Sequence, residues 1–96
     1  MTIEDFFSNE CEKLFLLHKA DLINKTSFNE RKKLISQEDY PKFNREFKRF
    51  QKQLSISLTK LIKKNPNTNI EAILEPIANK YAKSFLNLVD LSEIEI

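Results

Sequence analysis

The chain has no glycine and no tryptophan, and it holds three prolines, one cysteine and one histidine. Each scarcity excludes something. Without glycine there can be no Gly-rich phosphate loop of the P-loop or dinucleotide-binding kind, since both need a residue lacking Cβ where backbone meets phosphate. With turn formers this rare, a β-rich fold is disfavoured and helix is expected throughout. The single Cys11 cannot form an internal disulfide, so a reducing, cytoplasmic compartment is the expectation. No apolar run approaches the ~20 residues that span a bilayer. The opening MTIEDFF carries acids where a secretory signal would carry Lys or Arg. No membrane partner is expected.

Cys11 and His18 are the only residues that hint at nucleophilic or metal chemistry. On a helix they share a face, but seven positions separate their Cα atoms by roughly 10.5 Å along the axis. A Cys–His nucleophile pair needs contact near ~3 Å, and a zinc site needs further N or S ligands. Asp21, one turn beyond His18, is placed to accept its N–H as a local pair. Glu71 and Glu75 stand one turn apart, yet a bundle metal site draws further carboxylates and usually His from facing helices. The expectation is no enzyme activity, no metal and no cofactor, with Cys11 and His18 at the edge of the core.

What the chain does contain is segregated charge. Its 96 residues make one domain, too small for a second core. The net charge is only +2. Residues 1–30 hold three Lys and six acids, residues 31–64 hold eleven cations and three acids, and residues 65–96 hold two Lys and five acids. A strongly basic middle lies between two acidic ends.

The apolar pattern predicts four helices. Residues 3–24 place Ile3, Phe6, Phe7, Cys11, Leu14, Phe15, Leu17, His18 and Leu22 on one broad face, after a cap at Thr2 with Asp5. A second strip of Leu16, Ala20 and Ile23 points away from it and is the candidate surface for self-association as a homodimer. Ser27 and Glu30 form a capping-box pattern for a short helix over 28–36 that buries Phe28, Leu34 and Ile35. Asp39 is the expected N-cap of a helix over 41–64, with Pro41 in its first turn. Phe43, Phe47, Phe50, Leu54, Leu58 and Leu61 give that helix one apolar stripe. Asn65-Pro66 ends it, with Asn65 in a left-handed turn. Thr68 and Glu71 cap a last helix over 69–90, with a kink or new start near Pro76, before an acidic tail at 92–96. The fold class is all-α: a small, elongated antiparallel bundle of three long helices plus one short helix.

The candidate site is the outer face of the 41–64 helix. Arg45, Lys48, Arg49, Lys52 and Lys63 lie opposite the apolar stripe, flanked by Lys42 and Lys60, and Arg31, Lys32 and Lys33 are placed to extend the patch. A merely solvated face usually mixes signs. Ile56 falls inside the patch, and an apolar residue ringed by cations suits protein recognition better than phosphate contact. The expected function is therefore a non-catalytic interaction or regulatory protein, of the inhibitor, chaperone or immunity type, that binds an acidic partner surface. The alternative is nucleic-acid binding by the same face, with the 28–36 and 41–64 helices in a loose helix-turn-helix arrangement.

Overall fold

The computed structural model describes residues 2–66 and 69–90. Three α-helices follow one another: α1 Ile3–Lys25, α2 Tyr40–Lys64 and α3 Glu71–Leu86. They form an all-α bundle measuring 48 × 22 × 19 Å, elongated because α2 alone is 25 residues long. Successive helices run antiparallel. Leu22 and Lys25 of α1 lie beside Lys42 and Arg45 of α2, while Leu14 and Leu17 lie beside Lys52 and Gln53. None of the described helices is long and apolar enough to cross a membrane.

Helix α1 starts as expected, with the Thr2 hydroxyl accepting from the Asp5 N–H at 3.1 Å. Its buried residues are Phe7, Cys11, His18 and Leu22, a narrower arc than the sequence implied. Phe6 and Leu17 are exposed. Two packed neighbours cover only part of a helix's circumference, and both residues sit at its uncovered edge.

The short helix expected over 28–36 does not form. Asn29 and Leu34 exchange backbone hydrogen bonds of 2.7 and 3.2 Å, closing a hairpin-like turn in which Lys33 adopts a positive φ of 55°. Local side chains outcompete a helix this short. The Asn29 carboxamide accepts from the Lys32 N–H, and the Ser27 hydroxyl accepts from the Ser36 N–H rather than capping a helix. Glu30, the other half of the expected capping box, instead pairs with Lys19 of α1 at 2.9 Å. Phe28 and Ile35 are buried and pin the segment to the bundle, whereas Leu34 is exposed.

Asp39 also takes a different role. It precedes α2 without a side-chain cap bond. Its carboxylate accepts from the Ser27 N–H at 2.7 Å and pairs with Lys42 at 3.3 Å, tying the connection shut. The Ser27 backbone N–H above all, then the Ser27 and Lys42 side chains, holds its carboxyl down at about 2. A carboxylate lowered on folding adds stability that is present above its ordinary value near 3.8 and lost as pH falls through about 2. Asp39→Asn should therefore lower the thermal midpoint at pH 7, with the gap to wild type closing between about pH 4 and pH 2. A gap that stayed constant over that range would mean the charge is irrelevant there.

Helix α2 ends at Asn65, whose φ of −131° is not left-handed; its side-chain amide donates to the Leu61 carbonyl at 2.9 Å. Thr68, the other expected cap, lies outside the described residues, as does the 92–96 tail. Helix α3 begins two residues later than expected and passes through Pro76 without a break. Pro76 forfeits one hydrogen bond, to a carbonyl on the exposed residue Ala72, where water can replace it. The helix stops at Leu86 rather than residue 90 because Asp90 donates its N–H to the Lys33 carbonyl at 2.8 Å. The turn at 27–36 thus captures the end of α3.

Phe85 of α3 sits at the centre of the core. Its ring lies 5.1 Å from Phe50, 5.7 Å from Phe43, 6.0 Å from Phe47 and 6.2 Å from Phe15, so it joins α2 to α1. Tyr81, one turn earlier, packs edge-on to Phe15 at 6.4 Å. The apolar stripe of α2 is therefore core, as its spacing predicts.

Candidate functional site

Facing away from that core, α2 presents its cations to solvent. Lys42, Arg45, Lys48, Arg49, Lys52, Lys60 and Lys63 are all exposed. Lys42 is paired with Asp39, and Arg49 lies 3.6 Å from Glu46. Arg45, Lys48, Lys52, Lys60 and Lys63 have no ion-pair partner among the described residues. Ile56 is 37% exposed among them. Arg31, Lys32 and Lys33 are exposed too, on the tip of the hairpin-like turn rather than on a helix. The strip Leu16, Ala20 and Ile23 is exposed as well.

The residue that sequence reasoning missed is Glu46, the one acid of α2. It is buried, and its Oε2 meets His18 Nδ1 of α1 at 2.5 Å. Asp21, the expected partner of His18, lies near the pair but makes no hydrogen bond to it. A signal was there: Glu46 stands three residues after Phe43 and four before Phe50, at the edge of the buried stripe. Its second oxygen faces Arg49, so one carboxylate links a buried imidazole to the cationic face. His18 Nε2 is buried without a hydrogen-bond partner among the described residues, and the imidazole centre lies 5.5 Å from the centre of the Phe50 ring.

Donor atoms of His18, Asp21 and Glu46 all lie within 4.8 Å of one another. That is a weak metal site. Both Glu46 oxygens are engaged, one of them by a guanidinium whose charge repels a cation. The cysteine offers no better chemistry. Cys11 is fully buried, and burial, with help from Glu10, pushes its thiol up to about 12, so little thiolate exists near neutral pH. Glu71 and Glu75 are exposed at the rim of a shallow groove that holds no third carboxylate among the described residues.

At the start of α2 the cationic face turns concave. Lys25 and Thr26 at the end of α1, with Leu22, face Lys42, Arg45 and Arg49 across a recess of about 360 Å³, with Glu46 at its base. Compared with models of known families, with curated proteins and with solved structures, the chain matches none.

Proposed function

We propose that this protein is a non-catalytic binding protein, of the inhibitor, chaperone or immunity type, that holds an acidic surface of a partner protein against the outer face of α2. The observation that carries the reading is the set of exposed cations without ion-pair partners among the described residues, Arg45, Lys48, Lys52, Lys60 and Lys63, arrayed around the exposed Ile56. Long-range attraction from such a face speeds and orients encounter with an anionic partner. An apolar residue inside a cationic rim then supplies contact area that can be fully desolvated. The buried thiol and the engaged carboxylate of Glu46 support a role without catalysis.

The test is affinity capture from the native host with the wild-type chain and with a variant carrying Lys48→Glu, Lys52→Glu and Lys63→Glu. All three positions are exposed, so the fold should survive reversal. Capture of the partner should fall at least about tenfold in the variant. Undiminished capture would sink this choice of surface. Titration with labelled DNA and RNA at low salt is the second arm. Tight binding that weakens steeply as salt rises would assign the face to phosphate backbones instead. Residues 27–36 form a turn rather than the helix that a helix-turn-helix would need before α2, which weighs against that form of the alternative.

A further inference from the structure

We propose that the recess between the end of α1 and the start of α2 binds a doubly charged oxyanion, a phosphoryl group carried by the acidic partner. The proposal rests on the reading of α2 as a partner surface and adds where the partner's most strongly charged group seats.

The recess differs from the rest of the cationic face in shape. Lys48, Lys52, Lys60 and Lys63 all project from the single helix α2. In the recess, Lys25 approaches from α1 while Lys42, Arg45 and Arg49 approach from successive turns of α2. Its volume of about 360 Å³ lies at the lower end of small-ligand sites, which run from about 300 to 1,000 Å³. Two guanidinium forks one turn apart match the geometry of a tetrahedral oxyanion.

The charges are not already spent. Lys25 and Arg45 have no ion-pair partner among the described residues, and Lys42 and Arg49 each share a single carboxylate. Glu46 does not block the site, because His18 Nδ1 holds its Oε2 in the core. Its other oxygen steadies Arg49 from beneath, which makes Glu46 a positioning residue. Thr26 is already occupied, since its hydroxyl donates to the Leu22 carbonyl and accepts from the Phe28 N–H. The remaining donors are therefore cationic. A dianion gains more from them than a lone carboxylate does.

The experiment is an NMR titration of the full chain with inorganic phosphate at constant ionic strength, with chloride as the reference. Saturable shifts are expected, confined to the residues around Lys25 and from Lys42 to Arg49. Arg45→Gln, an exposed site whose melting should be unchanged, is expected to weaken phosphate at least about tenfold. Lys80→Gln with Lys83→Gln, exposed on α3, removes as much charge or more and should leave affinity unaltered. A phosphoserine peptide with neutral flanks should compete for the same residues, and its unphosphorylated form should not.

Non-saturating shifts spread along all of α2, or an equal response to chloride, would overturn the proposal. Saturable phosphate binding without competition by the phosphopeptide would overturn the partner-borne source. Phosphate binding is read without any partner, so it separates the two claims. Its absence beside intact partner capture overturns the recess alone, and its presence beside capture that ignores Lys48, Lys52 and Lys63 overturns only the wider surface.

Discussion

Replacing Phe85 with alanine is expected to cost about 3–5 kcal/mol, the range for deleting a fully buried aromatic side chain. Phe85 has no exposed surface, and four phenyl rings from α1 and α2 lie within 6.2 Å of its centre. The ring is the main aromatic contact that α3 makes with both other helices, so the cavity left behind cannot close by a small shift of one element. Against a total stability of roughly 5–15 kcal/mol for a domain, that loss is a large fraction. The urea midpoint followed by circular dichroism should fall by at least about 1 M. Phe6→Ala, at an exposed position of α1, is the matched control and should change stability by no more than about 0.5 kcal/mol. Equal effects at the two positions would mean that the aromatic cluster is not the core.

The second large effect should come from the buried His18–Glu46 pair. His18→Leu leaves a buried carboxylate with Arg49 at 3.6 Å as its cationic neighbour and the Asp21 carboxylate close by, and should cost about 3–5 kcal/mol. Glu46→Leu leaves the imidazole buried with neither nitrogen bonded, a smaller penalty of about 1–3 kcal/mol. Replacing both should recover most of the loss and can exceed wild type, because a well-packed apolar pair avoids desolvating ionic groups. The Nε2 atom, already without a partner, makes recovery easier. Denaturant melts of the four proteins form a double-mutant cycle, and a coupling of at least about 2 kcal/mol is expected. A double variant as unstable as the sum of the singles would mean that the two side chains act independently.

That cycle bears on function as well. If an apolar pair is the more stable choice, stability alone does not account for His18 and Glu46. Their placement beneath Arg49 offers another account, in which the buried carboxylate fixes a cation at the mouth of the recess. Phosphate affinity in the doubly apolar variant then reports on that role separately from folding.

Much of this architecture was legible in the sequence. The 3.6-residue rhythm of Phe43, Phe47, Phe50, Leu54, Leu58 and Leu61 determined α2 and its seam, because a run this long overrides weaker local preferences. The Thr2 cap determined where α1 begins, and the cation positions determined a face that solvent exposure matches. The expected length of the 41–64 helix also agrees with the elongated bundle observed.

Where local signals were short or evenly balanced, tertiary contacts decided. The segment at 27–36 carried a capping box, yet Lys19 took Glu30, Ser36 took Ser27, and burial of Phe28 and Ile35 fixed a turn instead. The end of α3 depended on Lys33, far away in sequence, whose carbonyl captures the Asp90 N–H. Glu46 is the one acid of a basic helix, and only the approach of His18 from α1 makes it the link between core and surface. Periodicity is a property of one helix and is written along the chain. A pairing between side chains 28 residues apart exists only once two helices have packed, and so the buried pair and the recess above it are products of the fold.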